Sequence, residues 1–310
     1  MSRKLKLLFL TVVLLRAVPS TQTDVCVTSD GKQQPLFFNA KGEMVYPERS
    51  CSFYGAGGEH FRDVKWVGCA GSVNNMLTHS KKKETVAKGG VLIRVAPSHV
   101  SRRNNLAYYS CRHVNTATVS KKRGGGDGIE TYEVFFKFDG LKHVIYTIKW
   151  NKVENRPVWV RHRPSAMAGV TDPSLIDASI RAPWRASKLV FGRDSIAVKE
   201  AYKTAYASNG MTRGHLAPSA DFLLAAERWA TFQLANVVPQ PQTHNNGEWK
   251  VIEGEVRKRF NSRDIEYIET GPVYDRVPVK VGGLIPVPKG MYKKVVGEDG
   301  DVLYQAMSVY

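Results

Sequence analysis

The chain has 310 residues, 45 Lys and Arg against 28 Asp and Glu, and a formal net charge of +17. With 43 % hydrophobic and 10 % aromatic residues, it can bury a sizeable core without metal or disulfide staples, which excludes a disordered basic tail or a collagen-like fibre. So large a cationic surplus points to polyanionic partners: nucleic acid, an anionic membrane or an acidic polysaccharide.

Residues 1–20 read as a secretory signal peptide. Arg3, Lys4 and Lys6 precede the apolar run LLFLTVVLL, and Val18 and Ser20 suit cleavage. That run is too short to span a membrane. Its removal takes away four basic residues and no acidic one, leaving +13 on an exported protein. From 21 to 150, β-like stretches at 91–95, 131–138 and 143–148 alternate with Gly, Pro and charge runs. Cys26, Cys51, Cys69 and Cys111 contain no C-x-x-C spacing; an even number in an exported chain implies two disulfides, with three pairings open. No Asn-x-Ser/Thr sequon is present. The run Lys81-Lys82-Lys83 reads as solvated surface. The basic, glycine-rich segment 121–128 lacks the Gly-Lys-Ser/Thr ending of a Walker loop. It reads as a hairpin tip, with a phosphate-contacting loop as the alternative.

From 151 the texture changes. Residues 157–160 read as a strand, 161–200 as weakly patterned polar chain, 211–222 as a loop and 227–234 as a helix. Pro239 and Pro241 exclude a helix over 237–242. Residues 248–259 read as a helix, with Trp249, Ile252 and Val256 on one face and Phe260 one turn on. The segments 265–274 and 283–292 read as buried strands. The division is therefore a signal peptide (1–20), a basic, disulfide-containing, β-rich region (21–150) and a core (151–310).

Of eight histidines, His215 is the informative one. It sits in TRGHLAPSAD (212–221), where Gly214 permits a tight turn and Arg213 sets a permanent cation beside a titratable base. A lone loop histidine is usually a structural hydrogen-bonder, so the next segment matters. Asn245, Trp249 and Glu253 fall at i, i+4 and i+8, drifting along one side of a helix. An amide oxygen suits a hard ion such as Mg²⁺ that keeps most of its water. The alternative for Asn245 is a helix N-cap.

TRGHLAPSADF, then ANVVPQ with NNGEWKVIE, then YIETGPVY with IPVPKGMYKKVV, in that order over about 155–305, resemble the DNA/RNA non-specific endonucleases of the endonuclease G type, which include secreted invertebrate nucleases. The resemblance implies an α+β fold, a mixed and mainly antiparallel sheet flanked by helices, with a ββα-metal unit at the active site. It implies His215 as general base, Asn245 as metal ligand, Glu253 as the glutamate of a metal-held water, Arg213 as the phosphate-binding arginine and Asn236 as a supporting residue. The metal would be Mg²⁺, or Mn²⁺ in its place. An upstream arginine of some members has two candidates, Arg181 and Arg185. Thr212 stands where the family has aspartate, and the chain ends at Tyr310 inside a strand-like segment, leaving a fragment or shortened form open.

These residue types suit phosphodiester hydrolysis. Imidazole is neutral enough near pH 7 to take a proton from water. The extra charge of the transition state falls to the metal and to arginine, whose fork matches phosphate oxygens. Ends would be 5′-phosphate and 3′-hydroxyl, and DNA and RNA, single- or double-stranded, would both be cut. Phosphate contacts supply affinity without sequence specificity, and no base-reading module stands out. Two other readings compete: a nucleic-acid-binding protein on the same fold with little or no turnover, and an exported heparin- or membrane-binding protein.

Overall fold

The computed structural model describes residues 23–28, 34–53, 56–79, 84–95, 106–107, 109–124, 126–165, 182–208, 210–260 and 265–310. The signal-peptide segment 1–20, Lys81–83, Arg181 and part of the 161–200 stretch lie outside them. The fold is α+β. No helix among the described residues is long and apolar enough to cross a membrane.

The N-terminal region is a set of short strands. Thr23–Thr28, Pro47–Phe53, Ala56–Val64 and Leu106–Ala107 form one sheet, in which Cys26↔Leu106 belongs to a parallel pairing. Phe37, Phe61, Val64, Val67 and Leu77 bury a small core of their own. The disulfides are Cys26–Cys51 and Cys69–Cys111, one of the three pairings the sequence left open. Beside the second, buried Asn115 accepts from the Ala70 amide (2.5 Å) and donates to the Gln34 carbonyl (2.6 Å). Leu36, Phe38 and Met44 carry the contact onward into the main core.

The core is built on a seven-stranded antiparallel sheet. Its strands are β1 (Thr118–Lys121), β2 (Ile129–Phe138), β3 (Leu141–Asn151) and β4 (Arg156–His162), then β7, β8 and β9, given below. The sheet therefore crosses residue 150 without a break. Lys121 ends β1, and the described residues of 122–128 lie between β1 and β2, where the composition implied a hairpin tip. Helices α1 (Lys188–Phe191) and α2 (Ser195–Ser208) follow. The weakly patterned stretch thus hides a fourteen-residue helix, whose buried positions Val198, Ala201, Tyr202 and Ala205 keep helical spacing with alanine in apolar places.

Strand β5 (Met211–His215) corrects the loop expected over 211–222. It has little strand character of its own. It is held by antiparallel pairing with β6 (Val237–Pro241), His215 opposite Val237 and Met211 opposite Pro241. Between them, α3 (Ala225–Ala230) starts earlier and stops sooner than the 227–234 expected. Then come α4 (Gln242–Asn246) and α5 (Glu248–Lys258). The break between these helices is Gly247, where a Cβ would sit 2.6 Å from the Thr243 carbonyl oxygen. Asn245, Trp249 and Glu253 are therefore not on one continuous helix, and the N-cap of α5 is Gly247, not Asn245. The sheet closes with β7 (Ile265–Val273), β8 (Gly290–Gly297) and β9 (Val302–Val309), in the order β1-β2-β3-β4-β7-β8-β9.

One face of this sheet is dry. Tyr132, Val134, Phe136, Ile148 and Val160 pack against Val198, Tyr202, Trp249 and Ile252 of the helices. Burying a side chain of this size contributes about 1.5–3 kcal/mol. Within this apolar layer lies a charged cluster. Asp221, fully buried, accepts from His162 Nε2 of β4 (2.9 Å) and from Arg257 Nε of α5 (2.8 Å). Burial alone would raise its carboxyl, but the His162 hydrogen bond and the Arg257 charge outweigh it and bring the pKa to about 2. Burial pushes the Lys293 ammonium of β8 down, against the pull of Asp221 and Glu253; its Nζ donates to Thr270 Oγ1 of β7 at 2.7 Å.

A carboxylate depressed to about 2 stabilises the fold above the unfolded value of about 3.9, and that stability is lost as pH falls through the folded value. Asp221→Asn should cost about 3 kcal/mol at pH 7 by removing the buried carboxylate that faces His162 and Arg257, leaving Arg257 with Glu253 alone. It should also flatten the stability loss between about pH 4 and 2. Urea melts of both proteins across that range check this; parallel acid limbs would contradict it.

Candidate active site

Strand alternation puts Arg213 and His215 on the same side of β5. There they meet an aromatic wall. The His215 ring lies 5.2 Å from Trp184 and 5.4 Å from Phe232, the last edge-on, and the two walls are 4.9 Å apart. The Arg213 guanidinium lies 5.1 Å from the Trp184 ring centre. A cation over an indole face is held without losing its charge, so Trp184 bears on both functional groups at once. Neither Trp184 nor Phe232 was singled out by sequence: Trp184 is an ordinary aromatic in the weakly patterned stretch, and Phe232 lies in the segment read as a helix over 227–234. Arg185, next to Trp184, pairs its backbone with Phe232 and Leu234 (3.1 and 2.9 Å) and so fixes the wall.

Asn236 anchors the turn after His215. It is fully buried, and its carboxamide accepts from the Ala217 amide (2.9 Å) and donates to the Ala217 and Thr231 carbonyls (both 3.0 Å). Its own carbonyl accepts from the Leu216 amide at 2.9 Å. The exit from the histidine is thus gripped by one side chain.

The other face of β5 explains Gly214. A Cβ there would lie 2.1 Å from Gln240 Oε1 and 3.0 Å from its Cβ, so a larger residue would displace the Gln240 side chain from beside the strand. Gln240 Nε2 donates to His244 Nδ1 (2.6 Å), and His244 Nε2 donates to Ser308 Oγ of β9 (2.6 Å). Burial lowers the His244 pKa, in keeping with a neutral ring bonded at both nitrogens. This relay ties α4 to β6, the strand paired with β5, on one side and to the main sheet on the other. Asn245 is the next residue along α4, half-buried, and its carboxamide has no hydrogen-bond partner among the described residues.

Glu253 belongs to the Asp221 cluster. It pairs with Arg257 Nη2 at 3.2 Å, one turn on, and its side chain is 17 % exposed. Burial raises its pKa, opposed by the charges of Lys293 and Arg257. Asp221 ends the segment that His215 begins, so the histidine turn and Glu253 share the Arg257 link.

Arg213 and His215 thus share the Trp184 ring, and Asn236 grips the Ala217 backbone two residues beyond the histidine. Asn245 is joined only as the chain neighbour of His244, and Glu253 only through Arg257 and Asp221. No group of three His, Cys, Asp or Glu among the described residues is arranged to hold a metal. The oxygen donors on offer, the Asn245 carboxamide and the Glu253 carboxylate, suit a hard ion bound through few protein groups and its own water.

The family described as DNA/RNA non-specific endonuclease matches residues 130–309. The chain is 27 % identical over 170 residues to a protein named salivary endonuclease from Lutzomyia longipalpis, covering 49 % of this chain and 40 % of that one. It is 35 % identical over 92 residues to a nuclease of Nostoc sp., covering 29 % and 33 %. With the mitochondrial nuclease EXOG of Xenopus laevis it shares 25 % over 223 residues, covering 67 % and 59 %. The matched portions span between a third and three fifths of these relatives.

Replacing Asn236 by Ala should strand the Ala217 and Thr231 backbone groups in the interior and cost about 2–3 kcal/mol. A denaturant midpoint shift at unchanged slope would register it, and an unshifted midpoint would show that the turn holds itself.

Proposed function

The chain belongs to the DNA/RNA non-specific endonuclease family, and on that footing we propose that it is a secreted, Mg²⁺-dependent endonuclease that hydrolyses DNA and RNA without sequence specificity. The observation that carries this reading is the pairing of His215 and Arg213 on one side of a strand whose exit is locked by Asn236. A nucleophilic water needs a base fixed in direction and a cation beside the phosphate, and these neighbours supply both.

In the proposed reaction, a ring nitrogen of His215 takes a proton from water as the new P–O bond forms in line with the leaving 3′ oxygen. Arg213 binds the non-bridging phosphate oxygens through its planar fork. Trp184 limits the swing of both side chains. Asn245 would hold the metal, Mg²⁺ or Mn²⁺, which supplies charge neutralisation at the phosphate. Glu253, largely buried and close to Arg257, orients a water that returns a proton to the 3′ oxygen as the P–O3′ bond breaks. The ends are a 5′-phosphate and a 3′-hydroxyl, and no 2′-hydroxyl takes part, so both sugars are accepted. The formal charge of +13 that remains after removal of residues 1–20 supports binding through phosphates rather than bases. Secretion is supported by the disulfides, by the N-terminal segment and by the name of the salivary relative. Thr212, where the family has aspartate, favours one other reading: binding on this fold with weak turnover.

The test is digestion of plasmid and of double-stranded RNA with Mg²⁺, with chelator, and with His215→Ala. Cleavage should stop with chelator and return with Mg²⁺, and His215→Ala should lose about 10²–10⁴-fold in rate. The new ends should accept ligase without kinase treatment. Salt-sensitive retardation without cleavage by the native chain would establish the binding reading instead, and cleavage undiminished in His215→Ala would remove the assigned base.

A further inference from the structure

We propose that the outer face of the seven-stranded sheet is a second nucleic-acid-binding surface, gripping the phosphate backbone of a duplex on the side away from His215. The sheet's inner residues are buried beneath the helices and the N-terminal strands. On the other face Thr131, Lys149, Trp159, Arg161, Tyr267 and Lys294 are partly exposed, while Glu133 and Phe135 of β2 are buried.

These residues form a continuous cationic band. At one end, Lys122, Arg123, Thr131 and Lys149, with the backbone of Gly124 and Gly126, line a groove of about 440 Å³. The register carries the band onward: Thr131 faces Lys149, and Lys149 faces Trp159. Lys149 Nζ lies 5.8 Å from the Trp159 ring centre, and the Arg161 guanidinium lies 4.3 Å from the centres of both Trp159 and Tyr267. Glu269 takes Arg161 Nε at 2.6 Å and the Tyr292 hydroxyl at 2.9 Å, which fixes the guanidinium. Lys122 also pairs with Glu133 at 3.1 Å, so the face is not uniformly cationic; the surplus lies with Arg123, Lys149 and Lys294.

The occupant follows from this geometry. Cations resting on aromatic rings are held in place before any ligand arrives, which lowers the ordering cost of binding an anion. The same cations cover the ring faces that single-stranded bases would need for stacking, which favours the backbone of a duplex. Lys149 and Lys294 stand three strands apart, on β3 and β8, a span of about 14 Å at the usual strand spacing. That is near the roughly 12 Å width of a duplex major groove, so one face can meet phosphates on both of its walls. A small anion would need only one end of the band.

The surface is tested apart from catalysis by measuring binding in the full-length His215→Ala background. Lys149→Gln with Arg123→Gln should weaken binding of a 60-bp duplex about tenfold at 150 mM salt. It should also lower the slope of log affinity against log salt by about 2, one contact per removed charge. In the His215-containing chain the same pair should leave cleavage of a 10-bp duplex unchanged while slowing that of long duplex. Lys294→Glu alone, at the far end of the band, should lower the slope by about 1. Unchanged affinity and slope in both variants would overturn the proposal. So would loss of heparin binding with duplex binding intact, which would assign the face to sulfated glycans. Equal loss on short and long duplexes would also overturn it, placing these residues at the cleavage site. Failure of the His215 assignment would leave the binding result standing, since the two readouts are separate.

Discussion

Everything around the histidine depends on a single negative charge kept out of water. Asp221 joins three elements that the chain visits far apart: β4 through His162, α5 through Arg257, and the segment leaving His215, of which it is the last residue. An isolated carboxylate at such depth would be prohibitively unstable. The surrounding cations make it tolerable, and their geometry leaves few alternative arrangements. An apolar replacement of matching shape would bind the layers about as tightly, since buried ion pairs often add little net stability. It would not say where Arg257, and hence Glu253, must stand. The cluster therefore serves position more than cohesion.

Much of this architecture could be read in the sequence, and what escaped has physical causes. The strands over 131–138 and 143–148 and the helix over 248–258 announced themselves because their side chains face a dry interior, so periodicity is enforced by burial. Strand β5 was illegible because its residues, Met-Thr-Arg-Gly-His, carry no apolar alternation; only the ladder with β6 makes it a strand. Helix α2 was missed because its buried stripe uses alanine and one tyrosine where larger residues would have been noticed. The kink at Gly247 was lost for the opposite reason: spacing alone lets a pattern run through a residue whose neighbour leaves no space for a Cβ.

The site divides in the same way. Arg213, His215, Asn236, Asn245 and Glu253 are proposed from the order of short motifs, a signal carried by residue type. The structure adds the residues that hold them: Trp184 and Phe232 as a wall, Gln240 and His244 as a relay, Arg257 and Asp221 as a tether. None has a local signature, because each acts through a partner distant in the chain. His244 shows this well: between a glutamine on β6 and a serine on β9, it is a structural histidine thirty residues from the one proposed to move protons.

The placement of the disulfides has a consequence for how the molecule would come apart. Both bridges lie between residues 26 and 111, while the seven-stranded sheet begins at Thr118 and is held by packing, hydrogen bonds and ion pairs without a disulfide. A thiol reductant would therefore act on one half of the chain and find nothing to cut in the other. Moved into a reducing compartment, the molecule would loosen from its amino-terminal side first, with the layer that bears the histidine the last to yield.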